Sequence, residues 1–232
     1  MDKNRNELLA ALPRAYYEKL LPALVPVELV FGDILYEPGR PMRDVYFPLN
    51  CLVSLLTLVE GHLALEVGMV GREGMVGVAL ALGIKDSPMR ALVQGGGPAL
   101  RMGAARFHRE VGRSPPLRRA INRYIYALMG QISQTAGCNR FHNVEARLAR
   151  WLLMTRDRMA SPEFRMTQDF LSTMLGVRRV GVTESASALQ HRKLIEYHRG
   201  SIHILDQEGL EAAACSCYSP PPDAARPVLA AH

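Results

Sequence analysis

A chain of 232 residues, 48% of them hydrophobic, is long enough for two domains of ordinary size, each with its own core. Its net charge of +6 and pI near 9.3 suit phosphate contacts, although charge alone fits a well-solvated basic surface equally well. Four cysteines are too few for a disulfide framework and fit a reducing cytosol. The charged start MDKNRNELLAAL lacks the apolar run of a signal peptide, and no stretch approaches the length of a membrane span, so a cytoplasmic chain without membrane contact is expected.

Residues 6–24 read as one or two short helices, with Leu8, Leu9, Leu12, Tyr17, Leu20 and Leu21 at helical spacing and Pro13 and Pro22 as punctuation. From Val25 to about Phe107 the texture changes to short apolar runs: Val27–Phe31, Asp33–Tyr36, Val45–Phe47, Leu52–Leu58, Leu63–Val67 and Ala91–Gln94. Turn signals at Glu37-Pro38-Gly39, Glu60-Gly61 and Gly95-Gly96-Gly97-Pro98 separate them, as in an all-β barrel or double-sheet roll. Pro115-Pro116 then opens a long helix over 116–136. Leu117, Ile121, Tyr124, Leu128, Ile132 and Thr135 recur at threes and fours, which fits a coiled-coil seam, a helix packed on its own roll, or both. Residues 137–143 read as a hinge. The next helix, 144–159, should turn Val144, Leu148, Trp151, Leu152 and Met159 inward and Arg147, Arg150, Arg156 and Arg158 outward.

The stretch from Met166 to Leu194 reads as two short helices about a tight turn. Thr167 can cap the first, and Asp169 adds negative charge there. Phe170, Leu171, Met174 and Leu175 give it an apolar face, and Gly176 ends it. The second helix starts after Val177, with Val182, Ala186 and Leu189 inward and Arg178, Arg179, Gly181, Thr183 and Glu184 outward. This is the layout of a helix-turn-helix, whose second helix enters the DNA major groove. Residues 194–198 and 201–205 alternate about an Arg199-Gly200 turn, as the β-hairpin wing of a winged helix should. Asp206 can cap a last helix, 207–215, before a Pro- and Ala-rich tail expected to be flexible. From Phe141 to Leu205 there are ten Lys/Arg against six Asp/Glu, an excess of +4 on this part.

Thr167, Gly176, Arg179, Leu189, Leu194-Ile195, Arg199-Gly200 and Ile202 resemble the C-terminal domain of the Crp/Fnr transcription regulators. The run Gly32 to Gly39 and the run Val45 to Pro48 are similar to the family's first hairpin. The resemblance implies an α+β chain: a cyclic-nucleotide-binding-like β-roll sensor over 1–115, a dimerisation helix and hinge over 116–140, a winged helix-turn-helix over 141–218 and a tail over 219–232. It further implies a homodimer on two-fold symmetric double-stranded DNA, with RNA polymerase as a further partner and a small-molecule effector in the roll. Leu117, Ile121, Tyr124, Leu128 and Ile132 would be the dimerisation residues.

In the family an Arg, the Glu after it and an Arg four residues on read bases. Here those positions are Arg179, Val180 and Glu184. Arg179 can bond a guanine bidentately; Val180 could touch only a thymine methyl, and Glu184 replaces a cation with an acceptor, so a half-site other than the family's best-known one is expected. Arg178 and Thr183 would contact phosphate or bases, and Thr167 and Arg199 would hold phosphates. The effector region would contain Met75, Arg90, Ala91 and Ser133. The family's cyclic-nucleotide cassette carries a ribose-binding Glu and a phosphate-binding Arg. Met75 stands at the first place and Arg90 at the second, which argues for another small ligand, or none. Arg90 could equally be a surface Arg on a strand end.

Other sensing chemistries have weaker support. No cysteine precedes Cys51, against an N-terminal iron–sulfur sensor; His62 as a haem ligand competes with a plain loop residue. Cys138 or the Cys215-x-Cys217 pair could sense redox, but one Cys-x-Cys supplies two ligands where structural zinc wants four, so ordinary thiols and no metal or cofactor are expected. No Gly-x-Ser-x-Gly, P-loop or His-Glu-x-x-His occurs, so the chain does not read as an enzyme. The competing reading is a ligand-binding or scaffold protein of the same fold without sequence-specific DNA binding.

Overall fold

The structure, a computed structural model, describes residues 5–60, 64–159 and 161–219. His62 and the tail beyond Ser219 lie outside the described residues. The chain divides into two units, 1–136 and 137–232.

In the first unit, Asn6 caps α1 (Glu7–Ala10): its Oδ1 accepts the Leu9 N–H at 3.1 Å. Its amide donates to the carbonyls of Pro48 (2.9 Å) and Gly74 (2.8 Å), so a buried side chain ties α1 to the strands. Next comes α2 (Arg14–Leu20), followed by one 3-10 turn over Leu21–Ala23. The strands are β1 (Val25–Leu29), β2 (Ile34–Tyr36), β3 (Asp44–Pro48), β4 (Leu52–Thr57), β5 (Leu65–Val70), β6 (Arg90–Gly95) and β7 (Gly97–Gly103). They form two antiparallel sheets, β1-β7-β3 and β2-β6-β4-β5, closed over a core that includes Val45, Phe47, Val53, Met75, Val93 and Met102. A short helix, α3 (Ala104–Arg113), packs through Phe107 and Val111.

Three features depart from the sequence reading. The expected Gly-Gly-Gly-Pro turn is confined to Gly96, and β7 starts at Gly97 as the centre strand of its sheet. Glycine is required there: φ is +149°, and a Cβ would stand 2.2 Å from the Asn50 carbonyl oxygen. Pro98 lacks an N–H, yet its carbonyl still accepts from Leu49 at 3.0 Å and Asn50 at 3.3 Å. Residues 104–107, read as the end of the β-textured region, open α3. Finally, β2 and β3 do not pair as a hairpin; they enter different sheets.

The long helix α4 (Pro115–Phe141) lays Leu117, Ile121 and Leu128 into the first unit's core, with Tyr124 and Ile132 packed beside them. Gly74 makes room for Tyr124, whose ring would lie 2.0 Å from any Cβ there. The Gln131 amide pairs with edge strand β5, its Oε1 accepting the Met69 N–H at 2.6 Å and its Nε2 donating to the Met69 carbonyl at 3.2 Å. The five residues expected to dimerise thus pack on their own roll, one of the placements that their spacing allowed. The opposite face carries Asn122, Tyr126, Met129 and Ser133, all exposed and also spaced by threes and fours.

The expected hinge is also shorter than read. Helix α4 continues through Gly137 to Phe141, leaving only His142 and Asn143 between helices. Asn143 Oδ1 accepts the Ala146 N–H at 2.9 Å and so starts α5 (Val144–Met159). The second unit continues with β8 (Glu163–Arg165), α6 (Gln168–Leu175), α7 (Arg179–His191), β9 (Ile195–His198), β10 (Ser201–Ile204) and α8 (Gln207–Ala213). Strand β8, too short to read from sequence, adds a third strand to the wing in the order β8-β10-β9. Leu148, Trp151, Leu152, Leu171, Val182, Ala186, Leu189, Ile202 and Leu210 are buried as its core. Arg147 and Arg150, expected outward, are buried too. Arg147 Nη2 donates to Asn139 Oδ1 at 2.7 Å and to the Leu175 carbonyl at the end of α6, and Arg150 Nε donates to the Cys217 carbonyl at 3.3 Å.

Candidate DNA-recognition site

The site is built from three local signals. Thr167 Oγ1 accepts the Phe170 N–H at 3.1 Å and caps α6. Gly176, at φ +61° and ψ +40°, turns the chain out of α6 in the left-handed conformation. Arg178, in extended backbone, precedes the first turn of α7, and its side chain makes no capping bond. The wing tip is a two-residue turn with Arg199 at φ +48° and Gly200 at φ +79°, the signs that match a right-twisted hairpin.

Hydrogen bonds fasten the wing to the start of α6. The Met166 N–H donates to the Gly200 carbonyl at 2.7 Å, and the Tyr197 hydroxyl donates to the Met166 carbonyl at 2.7 Å. Burial raises the Tyr197 phenol above its ordinary value, with Arg179 opposing and Asp169 adding, so it remains a donor. Thr167, Gln168, Asp169, Arg179, Tyr197, Arg199 and Gly200 thereby line one open cleft of about 430 Å³. The fold thus brings together Thr167, Arg179 and Arg199, three of the residues expected to contact DNA.

The remaining expected contacts are on the same helix start. Arg178, Val180, Thr183 and Glu184 are exposed, and Val180 leaves 59% of its surface in solvent. The Thr183 hydroxyl lies 2.8 Å from Gln168 Oε1 and 3.1 Å from the Arg179 carbonyl, so it links α6 to α7. Arg179 Nε stands 3.5 Å from Asp169 Oδ1, with both side chains well exposed; such a pair is weak and can open toward another acceptor.

The expected effector residues do not converge. Met75 and Ala91 are fully buried, and Ser133 is exposed on α4. Arg90 is held by Glu37 through two contacts of 3.0 Å, so its charge already has a carboxylate partner. Met75 lines a cavity of about 40 Å³ with Tyr36, Met42, Leu55, Met89 and Leu128; neither Arg90 nor Ala91 reaches it. Ligand pockets are about 300–1,000 Å³. Cyclic AMP should therefore give no measurable heat on calorimetric titration, and saturable one-to-one binding would contradict this.

One grouping escaped the sequence reading. Cys138 and His142, at the end of α4, meet Cys215 and Cys217 just after α8. The thiols expected to be ordinary thus share a cluster, and His142 had no signal beyond its four-residue spacing from Cys138.

Two helices about a left-handed glycine, followed by a wing pinned to the first of them, define a winged helix-turn-helix. Residues 146–213 match the Crp-like helix-turn-helix domain. The fold is similar to TTHB099, a CRP-family transcriptional regulator of Thermus thermophilus (TM-score 0.71, 17% identity, 84% of this chain and 100% of that one). It is similar to FixK2 of Bradyrhizobium japonicum (TM-score 0.71, 12% identity, 83% and 98%). It is also similar to CLP of Xanthomonas campestris, a c-di-GMP-responsive global regulator (TM-score 0.67, 16% identity, 83% and 99%). The chain is thus Crp/Fnr-like in fold and in its helix-turn-helix domain. No curated protein sequence matches it. No helix among the described residues is long and apolar enough to cross a membrane.

Proposed function

We propose that the protein is a sequence-specific transcription regulator that binds two-fold symmetric duplex DNA as a homodimer in the cytoplasm. The observation that carries this reading is the exposed first turn of α7, set beside a cleft where Thr167, Arg179 and Arg199 converge. A recognition helix contacts base edges with its N-terminal residues, and flanking cations hold phosphates. Arg179 reads a guanine, Val180 contacts a thymine methyl, and Arg178 and Arg199 take phosphates. The second copy docks through the outward face of α4, where Tyr126 and Met129 stand 78% and 62% exposed one helical turn apart. RNA polymerase receives the output. No disulfide joins the four cysteines, all of them among the described residues, which accords with a reducing compartment.

Fluorescence anisotropy on labelled duplexes tests the contacts. Affinity should fall linearly with salt on logarithmic axes. Arg179→Ala should cost about 1–3 kcal/mol at one base position and relax the preference there; Arg199→Ala should weaken all sequences alike and reduce the salt slope by about 1. An unchanged base preference in Arg179→Ala rules out its reading role.

A further inference from the structure

We infer that the C-terminal unit holds one zinc ion on Cys138, His142, Cys215 and Cys217. The four donor atoms all lie within 4.8 Å of one another. Cys138 Sγ is 3.4 Å from Cys215 Sγ, and Cys217 Sγ is 3.5 Å from His142 Nδ1. A tetrahedral zinc with bonds of about 2.3 Å to sulfur and about 2.05 Å to nitrogen sets donors about 3.8 Å (S to S) and about 3.6 Å (S to N) apart. The observed spacing needs only small adjustments to close around one ion. A [4Fe–4S] cluster, whose four ligands each take a different iron, needs its donors farther apart.

The donors are placed by the fold itself. Cys138 lies in the last turn of α4 and His142, four residues on, directly follows its end, with the His142 N–H donating to the Cys138 carbonyl at 3.2 Å. That spacing puts both side chains on one face. The segment after α8 is folded back onto α5. The Cys215 N–H reaches the Ala146 carbonyl at 3.4 Å, and the Tyr218 hydroxyl donates to Asp157 Oδ2 at 3.0 Å. Cys138 and Cys215 are buried, and Cys217 and His142 are half-buried, leaving a side through which an ion can enter.

Charge supports the same assignment. Three thiols lose their protons to solvent as zinc binds and His142 stays neutral, so the loaded site carries one net negative charge. Two buried guanidiniums face it. Arg147 feels Cys138 and Cys215, Arg150 feels Cys138, and Arg147 Nε is buried without a hydrogen-bond partner. The zinc would fasten the segment after α8 to the α4–α5 corner. Binding energy of that kind is folding energy for the unit that carries the recognition helix.

The test uses full-length protein purified under thiol reductant and stripped by chelation. Titration with cobalt(II) should saturate near one equivalent. It should give thiolate-to-cobalt charge transfer in the near ultraviolet and intense tetrahedral bands in the visible, both abolished by zinc. Cys217→Ser and His142→Ala, chosen because both side chains are half-buried, should each lower zinc affinity more than about 100-fold, beyond the effect typical of outer-shell residues. Cys51→Ser, in the other unit, should keep the wild-type affinity. If a variant fails to fold, the wild-type cobalt spectrum still decides. Cobalt binding without charge transfer, cluster variants with unchanged affinity, or a Cys138–Cys215 disulfide persisting under reductant with zinc present would overturn the assignment. None of these readouts depends on DNA binding.

Discussion

Tyr126→Glu combined with Met129→Glu should yield a folded monomer whose affinity for a two-fold symmetric DNA site falls about 10²–10⁴-fold, the avidity lost when two linked recognition helices become independent. Both side chains are mostly exposed, so the isolated chain loses little by the change. A two-fold interface through this face brings the new carboxylates of both copies into one seam, where like charges repel. The inner face of α4 should behave differently. Ile121→Ala removes a fully buried side chain and should cost about 2–5 kcal/mol of stability by leaving a cavity. Light scattering after size exclusion separates the two cases, and a double-glutamate variant that stays dimeric would show that the second copy docks elsewhere.

Arg147→Ala should destabilise the C-terminal unit by about 2–4 kcal/mol, lowering its midpoint by on the order of 10 °C. Leu175 is the last residue of α6, so its carbonyl has no partner within the helix. The buried Arg147 guanidinium supplies one and reaches Asn139 at 2.7 Å as well. Truncation would leave both acceptors under-bonded and a gap under the helix-turn-helix. Burial pulls the Arg147 pKa below its ordinary value, with Cys138 and Cys215 opposing. Urea unfolding followed by Trp151, the chain's only tryptophan, reads this unit alone. The control is Arg192→Ala, which breaks an exposed 2.9 Å pair with Glu145 and should cost less than about 1 kcal/mol. Equal losses in the two variants would remove Arg147 from this role.

What was legible in the sequence was local. Thr167, Gly176 and the Arg199-Gly200 turn each act on residues a few positions away, and all three stand in the structure as read. Apolar spacing on α4 marked a buried face without saying what buries it. Two stripes one register apart, Leu117-Ile121-Leu128 and Asn122-Tyr126-Met129, both keep the three–four rhythm, and only the tertiary fold separates them. Arg147 and Arg150 were misjudged because charge usually means solvent, whereas a guanidinium can be buried on carbonyls brought by distant segments. Strand β7 was hidden by its own punctuation, since Gly97 answers to the Asn50 backbone and not to a turn. The Cys–His cluster was invisible for the same reason of distance: Cys138 and Cys215 lie 77 residues apart. Arg90 could be read as an anion ligand only until its Glu37 partner was placed.

Selection of random duplex DNA by the purified wild-type chain, without added ligand, tests the central claim most directly. The account predicts an enriched two-fold symmetric site, with half-sites about one helical turn apart and a guanine under Arg179. Binding that is purely salt-dependent, with no enriched sequence from chain shown to be dimeric and folded, would contradict it.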